Sequence, residues 1–276
     1  MVVKIGFGKI GNIGCAPLLE FLLDERAERK DIEVRVFSSG AKMGVEQAAD
    51  VARLLSEFKP DVAIVSSPNA ALPAPTKLRE ALISNGIPTI VISDGPTKKA
   101  VQSIEKAGAG YLILEADSMI GARREFLDPS EMALFNADIF KVLTVTGVLN
   151  VIWLEIDKVI QSIQKHTPLT LPRIVVNKEK AIDASGLNNP YARSKAVAAH
   201  EISRRVADLT AEGCFVVKEW ERYTQLVAAA HEMMREAARL ADEAREIEKA
   251  EDAVLRTPHN SEGAVLQKRK LMEKPS

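Results

Sequence analysis

An α/β fold is predicted by three features of residues 1–115. Short β-branched runs recur at Val2–Phe7, Ile32–Phe37, Asp61–Ser66, Pro88–Ser93 and Tyr111–Leu114. Segments of helical periodicity, such as Cys15–Arg26 and Val45–Glu57, separate them. The runs are continuously apolar rather than alternating, which is how strands covered on both faces read. Strands alternating with helices imply a parallel sheet with helices on both faces, a doubly wound, Rossmann-like arrangement with right-handed crossovers. Strand order does not follow from the pattern.

Each later element has its own signal. Ala116–Leu127 reads as a polar, arginine-bearing loop. Asp128-Pro129-Ser130-Glu131 then opens a helix: Asp128 caps free backbone N–H groups, Pro129 suits the first helical position, and Glu131 completes a box-like arrangement. Helical periodicity dominates from there to about Lys249, broken at Gly147, Pro168–Pro172 and Gly213. In the last helix Trp220, Tyr223, Val227, Ala230, Met234, Ala237, Ala241 and Ala244 form one seam. Leu226, Met233, Leu240 and Ile247 form a second beside it, giving a stripe too wide for one partner helix. Ala253–Thr257 and Ala264–Lys270 flank Asn260-Ser261-Glu262-Gly263, the pattern of a short C-terminal β-hairpin. The expected domains are an α/β domain at 1–128, a helical-bundle domain at 129–250 and a hairpin extension at 251–276.

Composition narrows the function. The 276 residues carry 37 basic against 38 acidic side chains and no strongly basic tract, which argues against a nucleic-acid binder. Cys15 and Cys214 are too few for a disulfide framework and wrongly spaced for zinc. The longest apolar stretch, Val142–Leu154, is shorter than the roughly 20 residues a membrane span requires. The N-terminus runs straight into strand-like sequence without a signal-peptide pattern. The expectation is a cytoplasmic protein that engages neither membrane nor nucleic acid.

Gly6-Phe7-Gly8-Lys9-Ile10-Gly11 has the spacing of a dinucleotide fingerprint between a strand and a helix. The ribose-binding acid is missing: Ser38-Ser39 stands at the end of the second strand, and Asp31 precedes that strand, at the opposite edge. The segment is therefore either a tight turn or a phosphate loop, and NAD is disfavoured. Ser38, Ser39 and Lys42 would suit a ribose phosphate instead. Ser66-Ser67-Pro68-Asn69 and Ser93-Asp94-Gly95-Pro96 follow the third and fourth strands. Ligands of open α/β sheets bind above these carboxyl ends. Turn formation explains each segment alone, but three such loops on one edge point to a site. In Asp117–Phe126, Arg123 and Arg124 are placed to clamp carboxylate or phosphate, or else to pair with Glu125 or Asp128. His231-Glu232-Met233-Met234-Arg235 begins like a zinc-peptidase helix but lacks the second histidine, and no other metal spacing occurs.

Several longer stretches carry a resemblance. Lys9–Gly14, Val34–Met43 (VRVFSSGAKM), Ile120–Asp128 (IGARREFLD) running on to Asp138, Asn189–Ala192, Ala230–Lys249 (AHEMMREAARLADEAREIEK), Val254–His259 (VLRTPH) and Leu271–Pro275 span nearly the whole chain. With them the sequence resembles the coenzyme F420-dependent methylenetetrahydromethanopterin dehydrogenases of methanogenic archaea. In that family the shared element is K-x-G-N-x-G, so the complete glycine fingerprint reads as fortuitous. Ala70 and Ala74 stand where proline and glycine are expected, and Gly95 where alanine is expected.

The resemblance implies reversible hydride transfer from methylenetetrahydromethanopterin to the deazaflavin of F420, on the path between carbon dioxide and methane. It implies an oxidoreductase that uses F420 but neither metal nor NAD. Both ligands carry phosphate and carboxylate tails, which gives Lys9, Arg123 and Arg124 a binding role, alongside Gly11, Asn12, Ser67, Pro68, Asn69, Asp94 and Met119. Asp94, Asp117 and Glu125 are the candidates to stabilise the cationic product, and no catalytic residue is assigned. A homohexamer built as a trimer of dimers is also implied. The competing readings are an NADP-dependent reductase and a non-catalytic nucleotide-binding sensor.

Overall fold

The computed structural model describes residues 1–23 and 28–276, which fall into two compact units. Met1–Leu114, Ile152–Val176 and Thr257–Leu266 form the first. Glu115–Val151, Asn177–Arg256 and Gln267–Ser276 form the second. The units are thus not sequential, in contrast to divisions at 128/129 and 250/251. Later segments of the chain return to the sheet and build its last strand.

The first unit holds six parallel strands among the described residues: β1 (Val3–Lys9), β2 (Ile32–Ser38), β3 (Val62–Ser67), β4 (Thr89–Asp94), β5 (Gly110–Leu114) and β6 (Arg173–Val176). Their order is β2-β1-β3-β4-β5-β6. Every residue of β3, β4 and β5 is buried, so both faces of the sheet are covered. β2, at one edge, is largely half-buried or exposed. The strand order is not the 3-2-1-4-5-6 of dinucleotide folds but the flavodoxin-type 2-1-3-4-5 with one strand added. Its direction reverses between β1 and β3, so the crevice such sheets use for ligands lies at the carboxyl ends of those two strands. β6 was not legible as a strand. Its four residues after Pro172 are too few to show a period, and pairing with β5 from Tyr111↔Arg173 to Leu114↔Val176 supplies what local pattern lacks.

Helices α1 (Ala16–Leu23), α2 (Val45–Phe58), α3 (Pro73–Ser84) and α4 (Val101–Lys106) belong to this unit, α4 following a 3-10 turn at Gly95–Ala100. The expected continuation of the first helix to Arg26 falls on residues 24–27, outside the described residues. α2 buries Ala48, Val51, Ala52 and Leu55 and lies so close to β1 that a Cβ at Gly6 or Gly8 would come within 2.6 or 2.7 Å of Leu55. Both glycines are packing positions.

The second unit is helical, with α5 (Pro129–Val145), the first turn of α6 (Val148–Gln164), α7 (Lys178–Ala184), α8 (Pro190–Ala211), a π-helical turn at Glu212–Val216, and α9 (Trp220–Ala250). Asp128 caps α5 as expected, accepting the Glu131 N–H at 2.8 Å. Glu131 does not complete the box, because its carboxylate faces His231 Nδ1 at 3.5 Å instead. Small buried residues (Ala192, Ala196 and Ala199 on α8; Ala230, Ala237 and Ala241 on α9) let these two helices approach closely.

The C-terminal segment forms isolated antiparallel bridges rather than two continuous strands, Arg256↔Lys268 in the second unit and His259↔Val265 in the first. The first-unit part is tied down: His259 Nε2 lies 2.9 Å from Asp157 Oδ2 on α6, and Lys30 N–H donates to Ser261 C=O at 2.8 Å. Beside it, Arg29 makes a two-point bond to Asp31 at 2.9 and 2.7 Å, with both side chains 7% exposed. Burial works to raise the Asp31 pKa, but the bonds and charge of Arg29 outweigh it and hold the carboxyl below its usual value. Asp31 is therefore a structural anion at the amino edge of the sheet, away from any ribose site.

Removing Asp31 leaves the Arg29 guanidinium buried and unpaired. Asp31→Ala is expected to destabilise the protein by about 3 kcal/mol at neutral pH, read from urea unfolding. A loss within the error of the titration would contradict the buried pair.

Candidate functional site

At the carboxyl edge of the sheet, in the first unit, the ends of neighbouring strands are linked by backbone hydrogen bonds and by serine hydroxyls. Ile10 N–H donates to Ser66 C=O at 2.9 Å, and Ser39 N–H to Lys9 C=O at 3.1 Å. Gly11 has φ +81°, a conformation other residues adopt with strain, and its N–H donates to Ser39 Oγ at 3.2 Å. Ser39 Oγ in turn donates to Lys42 C=O at 2.6 Å, and Ser38 Oγ accepts from Gly40 N–H at 3.0 Å. Both serine hydroxyls thus serve the turn itself, which weakens their assignment to a ribose phosphate. α1 begins at Ala16, five positions beyond Gly11, so no helix N-terminus opens at the glycines. These observations agree with the fortuitous reading of the fingerprint.

The loops after β3 and β4 are joined more tightly. Ser93 Oγ donates to Ser67 C=O at 2.5 Å and lies 2.7 Å from Thr97 Oγ1. A hydroxyl has a single proton, so Ser93 gives its own to Ser67 and accepts from Thr97. Ala70 N–H is shared between Ser93 Oγ at 3.1 Å and Thr97 Oγ1 at 2.8 Å. Ser67, Ala70, Ser93 and Thr97 are all buried. Asn69 Oδ1 accepts from Ala71 N–H at 3.1 Å, closing the turn. Lys9, Pro68 and Asn69 are half-buried, Asn12 is exposed, and Asp94 is buried at the end of β4. The sequence singled out these loops; the network that couples them rests on Thr97, which carried no signal.

The second unit holds the remaining candidates on Glu115–Asp128. Ser118 Oγ donates to Ser203 C=O at 2.7 Å, and Ser203 Oγ to Ala116 C=O at 2.6 Å, a reciprocal pair that fastens the start of the loop to α8. His231 Nε2 meets Ile120 C=O at 2.9 Å. A carbonyl only accepts, so the proton sits on Nε2. The rings of Phe126 and Phe135 pack on the same imidazole at 4.8 and 4.6 Å. Arg123 donates to Gly213 C=O through Nε at 2.9 Å and Nη2 at 2.8 Å, and to Cys214 C=O at 2.8 Å. Its guanidinium stacks 4.1 Å from the Tyr223 ring centre. Glu125 is held below the usual carboxylate range by its own backbone N–H and by a bond from Tyr223. Arg124 is exposed, Met119 half-buried and Asp117 buried.

The loop is therefore held at three points on α8, the π turn and α9. Arg123 is one of those fastenings, whereas Arg124 faces solvent. The histidine set aside for lacking a zinc partner turns out to be another fastening. Nearby on α8, burial keeps the His200 imidazole below its usual pKa, and neither of its nitrogens has a hydrogen-bond partner among the described residues. Among the described residues no group of three or more His, Cys, Asp or Glu is placed to hold a metal ion, and no single helix is long and apolar enough to cross a membrane.

Comparison with known proteins adds three findings. The family model for methylene-5,6,7,8-tetrahydromethanopterin dehydrogenase matches residues 3–276. The chain is 58% identical over 275 residues to the F420-dependent methylenetetrahydromethanopterin dehydrogenase of Archaeoglobus fulgidus, and 52% identical over 276 residues to that of Methanocaldococcus jannaschii, with 100% of both chains covered each time. It is also similar to a solved F420-dependent methylene-tetrahydromethanopterin dehydrogenase, in complex with methylene-tetrahydromethanopterin and coenzyme F420. That match has a TM-score of 0.96 and 45% identity over 100% of both chains.

Proposed function

This chain belongs to the methylenetetrahydromethanopterin dehydrogenase family, and on that premise we propose how its own residues serve the family's reaction. It is an F420-dependent oxidoreductase that transfers hydride reversibly between methylenetetrahydromethanopterin and F420. The observation that carries this is similarity over the full length to a relative solved with both ligands bound. Neither an NADP-dependent reductase nor a nucleotide sensor is favoured beside it.

The carboxyl edge of the first unit fits a polyanionic, hydrogen-bonding ligand. Among the described residues Ser66 Oγ there is buried without a hydrogen-bond partner, and Lys9 and Asn12 bring side-chain donors to the same edge. Lys9, Gly11, Asn12, Ser67, Pro68, Asn69 and Asp94 are the residues we assign to ligand binding in this unit. When bound, the deazaflavin supplies the electron chemistry. The protein's part is to hold the reacting rings and exclude water. In the second unit Met119 and Arg124 are assigned to contact, and Arg123 to holding the loop that presents them. Asp94, Asp117 and Glu125 are the carboxylates available to a cationic product, and Glu125 has its negative charge secured by Tyr223 and its own N–H.

We also propose a homohexamer arranged as a trimer of dimers. Phe215, Val216 and Trp220 are 69%, 68% and 57% exposed on the second unit, and the seam of Leu226, Met233, Leu240 and Ile247 is only half-buried. Such apolar surface favours a neighbour. Among the described residues Cys15 and Cys214 are not joined in a disulfide, in keeping with the reducing, cytoplasmic setting we propose.

Four outcomes are expected. Substrate deuterated at the bridging methylene delivers its label to F420, followed by mass spectrometry and visible absorbance; label appearing in solvent would contradict direct transfer. Arg123→Ala lowers stability by about 2 kcal/mol through the lost carbonyl bonds. Arg124→Ala leaves stability unchanged and raises the KM of one ligand, by the roughly 1.5–3 kcal/mol of a charge-assisted bond. The reverse pattern in the two variants would show that their roles are exchanged. Light scattering at micromolar concentration reports an oligomer, and a single-chain species would refute it.

A further inference from the structure

Arg79 lies in the middle of α3 and is 2% exposed. Helix side chains lean toward the N-terminus, and Arg79 Nη1 reaches back to donate to Ala70 C=O at 3.3 Å, in the loop after β3. That is its one hydrogen bond among the described residues, and Nε is buried with none. Its sequence neighbour Glu80 is exposed and acts only through space. A guanidinium does not lose its proton in a protein. Folding has therefore buried a full positive charge against a single carbonyl, a destabilising arrangement unless something else compensates it. The carbonyl does not depend on the arginine, since Thr76 Oγ1 also donates to Ala70 C=O at 3.3 Å.

Free backbone N–H groups are scarce at this place. A helix N-terminus normally offers an anion several free N–H groups. At the start of α3, Pro73 and Pro75 have no N–H, and Leu72 provides no side-chain cap. The Ala70 and Ala71 N–H groups already serve Ser93, Thr97 and Asn69. Positive charge at the β3–α3 loop therefore rests on Arg79. Ser66, at the same strand end, holds a buried hydroxyl without a hydrogen-bond partner among the described residues.

We propose that Arg79 is a specificity residue whose buried charge fixes an anionic group, phosphate or carboxylate, of one of the two ligands at the β3–α3 loop. The assignment rests on the carboxyl edge being a ligand-binding edge, as proposed above. It makes Arg79 unfavourable to the ligand-free fold and favourable to the complex, a combination that a purely structural arginine would not show.

The test uses the full chain with Arg79→Met and Arg79→Lys. Thermal unfolding is measured without ligand, F420 affinity by fluorescence titration at low and high salt, and the KM of methylenetetrahydromethanopterin across the same salt range. Arg79→Met is expected to melt at the wild-type temperature or higher. It should weaken one ligand about tenfold or more, with a flattened salt dependence for that ligand alone. The ligand affected identifies the source of the anion. Arg79→Lys, which keeps the charge but not the fork, falls between. Unchanged affinities overturn the proposal, and so does weaker binding with the wild-type salt dependence, because loss of shape alone leaves that slope in place. If Arg79→Met does not fold, Arg79→Gln carries the same readout. Wild-type turnover with F420 is established first. Its failure removes the assigned function, whereas an active wild type with unaltered variants removes only the role of Arg79.

Discussion

Ser93, one residue before the end of β4, carries one hydroxyl that three segments share. It gives a proton to Ser67 C=O and takes hydrogen bonds from Thr97 and from the Ala70 N–H. None of these groups reaches water, so each would be left unsatisfied if another moved, and a buried unpaired polar group is costly. That mutual dependence fixes the β3–α3 loop relative to the end of β4 before any ligand arrives. On the other side of β3, Ile10 N–H on Ser66 C=O ties in the glycine segment, and Ser39 ties in the loop after β2. The edge of the first unit is in this sense one connected frame.

The second unit reaches the same end by another route. Its long loop from Glu115 to Asp128 has little regular structure, and a chain segment of that kind loses much entropy on being fixed. The ordering comes from side-chain bonds between the loop and its neighbouring elements: His231 on Ile120 C=O, Arg123 of the loop on the carbonyls of the π turn, and Ser203 paired with Ser118. The π turn matters here, because its irregular backbone presents Gly213 and Cys214 carbonyls for Arg123 to bond. For direct hydride transfer a frame of this kind is the main thing the protein contributes, since the deazaflavin supplies the chemistry.

Much of this was legible in the sequence where local pattern decides the structure. The five apolar runs became β1 to β5 within a residue or two, α2 spans Val45–Phe58 against an expected Val45–Glu57, and Asp128 caps α5. What remained hidden depends on contacts distant in sequence. β6 exists because β5 offers it an edge. Glu131 turns to His231, a residue 100 positions on, rather than to its own helix start. The terminal segment makes bridges rather than strands because its partners are His259 with Asp157 and Lys30 with Ser261, not only itself. At the candidate site the loops at the strand ends could be read from position, and the binding role we propose for Arg124 rests on its exposure. Arg123 looked the same as Arg124 in sequence, and only the carbonyls of Gly213 and Cys214 distinguish them. Arg79 sits in an ordinary helical stretch, and its isolation is visible only once burial is known.

The carboxyl-edge frame is formed in advance of any ligand and held by the Ser93 hydroxyl. The Ala70 amide reports on it directly, because its N–H is the donor to both Ser93 and Thr97. Native-state hydrogen exchange, resolved at Ala70, should show strong protection in the ligand-free enzyme, little change on adding F420, and marked acceleration in Ser93→Ala. Exchange of that amide in the ligand-free wild type at the rate of an open loop, with protection appearing only when F420 binds, would contradict the account.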